Sequence, residues 1–585
     1  MASTSRLSPE VVQVLAGHLT QIYGPTVAQS ALPDLVSVVQ QHRQGGPAGD
    51  AGPLSQRDVF LITYPDQLAQ TGQLPLRTLH GFLRRRLFGL IGGVHILPFF
   101  PSSSDDGFAV MDYLQVDPSF GSWSDIADIA TDFKLMVDGV INHISSQSAW
   151  YQGFLRGDPR YADYFIAVDP QSDLSSVVRP RALPLLTRAE TPAGARSVWT
   201  TFSPDQIDLN LANPEVLLEI IKVLLLYVDH GARVIRLDAI AYLWKQLGTK
   251  CIHLRQTHQI VKLLRAILDQ VAPGTLLISE TNVPHADNVS YFGSGDEAHM
   301  VYQFPLPPVV LHAFLHQDST YLTAWAQSLE PPPSGGTFFN FLASHDGIGL
   351  NPARGILPDT DIDALADRVK ERGGAVSYRS GSVGGQVPYE LNINYLDALT
   401  PPEEFDGDLQ KPVGRFVAAH SIMLSLQGVP AIYFHSLFGS RNDYAGVERT
   451  GAPRAINRER LALSKLENEL SDDRSLRHFV FNELARLLRL RALHPALSPF
   501  AGQQVLNLGR DVFGLIRIPT EDDRALVCLH NVTDNRLEVE AQIANWRADQ
   551  AVDLLNQQPV SLDQVPLGPY QARWIEFHPT REATM

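Results

Sequence analysis

The chain is 585 residues long, 44% hydrophobic and 19% charged, proportions that suit one large globular core and exclude a fibrous or disordered polymer. Its 47 basic against 63 acidic residues leave a formal charge of −16, which argues against nucleic acid or an anionic membrane surface as partner and requires a local basic pocket for any anionic ligand. Cys251 and Cys528 are the only cysteines and form no disulfide framework, and the opening MASTSRLSPE has no signal pattern, so a cytoplasmic protein is expected.

Helical spacing of Val11, Val12, Leu15 and Leu19, an apolar segment at 35–39 and a Gly/Pro-rich stretch at 45–53 mark an N-terminal extension over 1–55, without evident chemistry. VFLITY at 59–64 and VHILPFF at 94–100 are predicted strands separated by helical material; SSSDDGF then puts Asp105, Asp106 and Phe108 beyond the second strand's C-terminal end. LMVDGV at 135–140 leads to Asn142 and His143. A lone histidine there is as readily structural as catalytic; its interest comes from the recurrence of polar groups at successive strand ends. Regularity fades between Trp150 and Trp199, which predicts an irregular inserted subdomain containing Arg179 and Arg181, on their own readable as solvated surface. The apolar segment 216–228 is broken by Glu219 and Lys222 and is expected to be an amphipathic helix rather than a membrane span.

GARVIRLDA at 231–239 and LLISETNVP at 276–284 each end a short apolar run in a carboxylate, Asp238 and Glu280, and a helical stretch at 256–271 joins them. They read as two parallel strands of a βαβ unit with acids at their C-terminal ends. Two carboxylates facing one pocket divide the labour of nucleophile and general acid when their environments separate their pKa values. Arg236, two residues before Asp238, shares its strand face and is expected to keep it ionised; a structural ion pair is the alternative. HMVYQF at 299–304, FFNFLASHD at 338–346 and VPAIYF at 429–434 complete eight candidate strands, and the second of these brings His345 and Asp346 to another strand end. Eight strands alternating with helices predict an α/β fold: a (β/α)8 TIM barrel over 56–498 with insertions at about 150–200 and 349–399. The later insertion is a glycine-rich loop region expected to be mobile, with Arg379, Tyr389 and Glu390 able to close over a ligand. Alternating short strands from about 499 to 585 predict a C-terminal antiparallel β domain. Neither a metal-ligand cluster nor a GxxxxGK loop is present in the sequence.

Four of these stretches resemble, in order and at suitable spacing, the signature regions of glycoside hydrolase family 13: DGVINH from Asp138, GARVIRLDA with Asp238, ISETN with Glu280 and FLASHD with Asp346. RPRALPLLT, WTTFSPDQIDLN, CIHL, ETNVPHADN, NFLASHDGIGLNP, SRNDYAGVE and RAINR narrow the likeness to the sucrose-phosphorylase subfamily, from about residue 56 to the C-terminus. That resemblance implies Asp238 as nucleophile, Glu280 as general acid/base and Asp346 as stabiliser of the transition state. It implies that Asp106, His143, Gln206, Arg236, His345 and Arg458 hold a glucosyl ring between the apolar walls Phe108 and Tyr242. The implied reaction is double displacement with retention, in which inorganic phosphate is a substrate and neither cofactor nor metal takes part.

Arg181 and Tyr389 are the implied phosphate cradle, with Arg379 as a further candidate. Tyr389 is followed by Glu390 where sucrose phosphorylases carry glutamine, which directs the reading from fructose to a smaller polyol-type acceptor. D-Glycerate, whose carboxylate Arg354 or Arg379 would meet, is the first expectation; glycerol, whose hydroxyls Glu390 would accept, is the alternative. A hydrolase would share every catalytic residue, and a non-catalytic sugar-binding barrel would have no need of all three acids. The expected partners are a small sugar substrate and phosphate, with a homodimer left open.

Overall fold

The computed structural model of the protein describes residues 7–43, 52–180, 183–380, 385–521, 524–541 and 546–581. Eight short strands make a closed parallel barrel: β1 Phe60–Thr63, β2 Gly93–Ile96, β3 Lys134–Gly139, β4 Ala232–Leu237, β5 Leu276–Ser279, β6 Met300–Tyr302, β7 Thr337–Phe341 and β8 Val429–Tyr433. They are the eight read from the sequence, and β8 returns to β1 with Ala431 opposite Phe60. Near-continuous apolar runs suit them because parallel strands covered by helices have no solvated face to alternate for.

The barrel interior is packed with rings. Phe60 faces Phe339 at 5.9 Å between centroids, and it occupies the space in front of Gly93, where an added Cβ would lie 2.3 Å from the ring. The helices flanking β4 follow the predicted periodicity. Pro214–Asp229 starts from an Asn213 cap and turns Val216, Ile220, Leu224 and Val228 inward, and Arg255–Val271 connects β4 to β5. Among the described residues no helix is long and apolar enough to cross a membrane.

The N-terminal helices α1 (Pro9–Tyr23) and α2 (Pro25–Arg43) lie against these two barrel helices. Leu15, Leu19 and Ile22 are buried there, the Tyr23 hydroxyl donates to the Leu211 carbonyl at 2.8 Å, and His18 meets Gln259 at 3.3 Å.

Both insertions hold more regular structure than their sequences suggest. In the first, Leu186–Thr191 and Gly194–Trp199 form a hairpin that Ala167–Val168 joins; most of its side chains are partly or fully exposed, so apolar alternation is weak. In the second, a helix at Asp359–Glu371 precedes a hairpin of Ala375–Ser380 with Gln386–Asn392, anchored through Ile348–Gly349. The glycines Gly373 and Gly374 end that helix rather than mark a structureless loop: Gly373 has φ 79°, and a Cβ at Gly374 would stand 2.6 Å from Val369.

Beyond the barrel, six antiparallel strands run in the spatial order Gly502–Leu506, Val512–Ile518, Ala525–Asn531, Ala572–Arg581, Trp546–Asp553 and Gln558–Pro559. This sheet is sealed to the helix Gln410–Ser425 that leads into β8. Buried Trp574 donates from Nε1 to Ser421 Oγ at 3.0 Å, and buried Arg517 donates to the Ser425 carbonyl at 2.8 Å.

Gly93→Ala is expected to lower the free energy of unfolding by about 1–3 kcal/mol through overpacking against Phe60, measured by urea denaturation followed by circular dichroism.

Candidate active site

Asp238 and Glu280 are held at the rim by backbone bonds that continue the ladder past the strand ends. The Asp238 amide donates to the Gly139 carbonyl and the Glu280 amide to the Leu237 carbonyl, each at 3.1 Å. Ala239 then turns left-handed, with φ 49°, and aims its amide at Glu280 Oε2, 2.9 Å away.

Below them lies a buried charge cluster. Register places Arg236 beside Asp138 across β3 and β4, and its Nη1 donates both to Asp138 and to Asp238 Oδ1, the latter at 2.7 Å. Asp138 also takes a contact of 2.8 Å from His95 Nε2. Burial pushes the Asp138 carboxyl up, but His95 and Arg236 outweigh it and hold it below the ordinary carboxylate value. At Asp238 burial lifts the carboxyl above the ordinary value, and Arg236, divided between two acids, offsets only part of that desolvation. Burial lifts Glu280 to about 7; Arg236, 3.9 Å away, opposes the rise and the Asp238 charge adds to it.

A ring-shaped platform closes one side. Phe108 and His345 stack at 4.9 Å with planes 7° apart, and Tyr64 meets His345 edge-on. His143 Nε2 lies 3.0 Å from the Phe108 carbonyl and 3.2 Å from Gln206 Nε2. Burial depresses both histidines, His345 to about 3, so neither ring is charged at neutral pH. Arg458 pairs with Asp106 and donates from Nε to the His345 carbonyl at 2.7 Å. Tyr242 stands opposite, against Phe202 at 5.6 Å.

Asp346 is governed by arginines. Burial pushes its carboxyl up, yet Arg454, 2.6 Å away, and Arg458, 3.8 Å away, outweigh this and hold it well below the usual range. Arg454 also grips Glu390 with two bonds, Nε to Oε1 at 2.9 Å and Nη2 to Oε2 at 2.6 Å. Asp238, Glu280, Asp346, Tyr389, Glu390 and Arg454 share one chamber, whose mouth opens into a vestibule bordered by Asp106 and Arg458. Burial raises the Tyr389 hydroxyl to about 12, so it is a donor at neutral pH.

The remaining acceptor-side residues are placed differently from the sequence expectation. Arg354 is not on the chamber wall: it pairs with Asp359 and donates to the Pro388 carbonyl at 3.1 Å, bracing the hairpin from behind. Arg379 donates to Asn351 at 2.9 Å and likewise does not line the chamber, though its charge reaches Tyr242. Arg181 lies outside the described residues. Glu390, read as a free acceptor for ligand hydroxyls, has both carboxylate oxygens engaged by Arg454.

Sequence reasoning passed over Arg454 although it opens the quoted RAINR stretch. It also missed Lys245, which is buried 2.5 Å from Asp208 and 2.7 Å from Asn142 Oδ1 and so steadies the residue preceding His143. Among the described residues no group of three or more His, Cys, Asp or Glu side chains is arranged to hold a metal.

The family model described as alpha amylase, catalytic domain, matches residues 89–331. Over 576 residues the chain is 49% identical to the glucosylglycerate phosphorylase of Allomeiothermus silvanus, covering 98% of this chain and 100% of that protein. This protein belongs to glycoside hydrolase family 13. Within the family it stands with the sucrose-phosphorylase subfamily: it is 46% identical to the glucosylglycerate phosphorylase of Escherichia coli, over 96% of this chain and 100% of that one. The crystal structure of sucrose 6F-phosphate phosphorylase from Thermoanaerobacter thermosaccharolyticum superposes with a TM-score of 0.73 at 25% identity, covering 87% of this chain and 99% of that one.

Asp138→Asn is expected to lower the free energy of unfolding by about 3–5 kcal/mol, because Arg236 then keeps only part of its compensation in a buried cluster; thermal and urea unfolding at pH 7 measure it.

Proposed function

We propose that this chain is a retaining α-glucoside phosphorylase that moves a glucosyl unit reversibly between phosphate and D-glycerate, the activity of a glucosylglycerate phosphorylase. The observation that carries the choice of acceptor is the step in similarity: three glucosylglycerate phosphorylases are 46–51% identical to this chain, whereas a glucosylglycerol phosphorylase is 29% and a sucrose phosphorylase 30% identical. The engagement of Glu390 by Arg454 removes the reason for preferring glycerol.

On this reading Asp238 attacks the anomeric carbon while Glu280 passes its proton to the departing glycerate oxygen, leaving a glucosyl ester on Asp238. Asp346, ionised under Arg454 and Arg458, favours the positive charge that develops on the sugar. A phosphate oxygen then attacks the same carbon, Glu280 takes the proton, and α-glucose 1-phosphate leaves with Asp238 restored. Arg181 and Tyr389 hold the phosphate, and Asp106, Phe108, His143, Gln206, Tyr242, His345 and Arg458 hold the ring. The chain divides at about residues 55 and 498 into extension, catalytic barrel and C-terminal sheet. We place the reaction in the cytoplasm, where phosphate is available and the buried thiols of Cys251 and Cys528 stay reduced.

The experiment is phosphate release from α-glucose 1-phosphate with D-glycerate, glycerol, fructose or water as acceptor. D-Glycerate is expected to give the fastest release; equal release in water alone would make the enzyme a hydrolase and overturn the proposal. Asp238→Ala is expected to cost about 10⁴-fold or more in turnover.

The pH dependence follows from Glu280. Its protonated form is the competent acid, so kcat/KM for glucosylglycerate is expected to hold below pH 7 and to fall by about tenfold per pH unit above it as that proton is lost. A rate flat from pH 6 to 9 would remove Glu280 from this role.

A further inference from the structure

A glycerate carboxylate and a phosphate present the same difficulty to this chamber, whose walls include Asp105, Asp238, Glu280, Asp346 and Glu390. An anion entering it needs a cation that is within reach and has a donor to give. Among the described residues lining the chamber, the cationic side chains are Arg236 and Arg454, since burial keeps His143 and His345 neutral. Arg236 is buried at the floor against Asp138 and Asp238. Arg454 stands at the neck, bordering both chamber and vestibule, with 27% of its side chain exposed.

The donors of Arg454 are not equally committed. Glu390 accepts from Nε and Nη2 in a fork-to-fork pair, and Glu390 is itself wedged in place: a Cβ at Gly347 would approach its side chain to 2.6 Å. Nη1 points the other way, to Asp346 Oδ1 at 2.6 Å. Asp346 faces the sugar position in the proposed reaction, and hydroxyls of a bound glucosyl ring compete for the same oxygen. Sugar entry therefore frees Nη1 at the place where the acceptor or phosphate must arrive, while Glu390 keeps the guanidinium aimed.

We infer that Arg454 is an anion-recognising residue of the acceptor side, acting beside Arg181 and exchanging Asp346 for the glycerate carboxylate or a phosphate oxygen once the glucosyl unit is bound, with Glu390 as its fixed rest. This rests on the proposed phosphorylase reading. It assigns selection for a charged acceptor to a residue beyond β8 rather than to the arginines of the second insertion, and it assigns to Glu390 the positioning of that residue rather than contact with acceptor hydroxyls.

The test compares wild type, Arg454→Gln and Glu390→Gln with α-glucosyl fluoride as a neutral donor and D-glycerate or glycerol as acceptor. Separate arms measure KM for phosphate and thermal melting. Loss of one charge-assisted contact is expected to reduce the ratio of kcat/KM for D-glycerate over glycerol by about 30-fold in Arg454→Gln, mainly through KM, and to raise KM for phosphate by a similar factor. Glu390→Gln, which loosens the aim, is expected to move both in the same direction by about fivefold, and it decides the matter should Arg454→Gln not fold. A ratio and a phosphate KM unchanged in a folded variant, with turnover falling alike for both acceptors, would mean that Arg454 only positions Asp346, and would overturn the inference. A wild-type enzyme that does not prefer D-glycerate would overturn the glycerate reading instead; the phosphate arm would still decide the role of Arg454.

Discussion

The structure depends on one guanidinium sealed beneath the rim of the barrel. Arg236 sits among Asp138, Asp238 and Glu280, and removing such charges from water costs several kcal/mol apiece unless each is compensated. One cation among three carboxyl groups leaves an excess of negative charge. Asp138 is satisfied by Arg236 and His95 together, Asp238 is satisfied in part, and Glu280, pushed up chiefly by burial and further by the Asp238 charge, keeps its proton to about pH 7. In the proposed double displacement the general acid therefore keeps its proton because the one guanidinium below it offsets only part of the burial.

A second balance operates at the mouth. Asp346 and Glu390 share Arg454, and Asp106 has Arg458, so charges here are nearly matched and Asp346 stays ionised despite its partial burial. Two carboxylates in the same chamber, Glu280 and Asp346, are therefore displaced in opposite directions from the ordinary value. The cause is the number of arginines within reach of each, which is the kind of environmental splitting that lets one site run acid and electrostatic chemistry together.

The barrel was legible because its strands are short apolar runs separated by helical periodicity, and its floor because the runs before Asp238, Glu280 and Asp346 lead directly into acids. The two hairpins of the insertions were not. Leu186–Thr191 shows little apolar alternation, and the glycines before Ala375 look like a loop although two of them close a helix. The placement of Arg354 and Arg379 was not legible for a different reason. Arg354 and Arg379 lie near Tyr389 in the chain, but their partners Asp359 and Asn351 draw them off the chamber, while Arg454 reaches it from beyond β8, more than sixty residues away. Proximity in sequence says little about a contact between a loop and the far end of a barrel.

The hairpin that carries Tyr389 and Glu390 is tied through Arg454 to Asp346. In the proposed reaction, acceptor choice and the stabilisation of developing charge therefore have a shared mechanical and electrical connection. A loop exchanged to admit another acceptor, unless it preserves an acid at position 390, also releases the arginine that sets the state of Asp346. Under the proposed roles, selectivity and chemical competence in this scaffold are constrained to change together, which makes compensating pairs of substitutions, rather than single ones, the accessible route between acceptors.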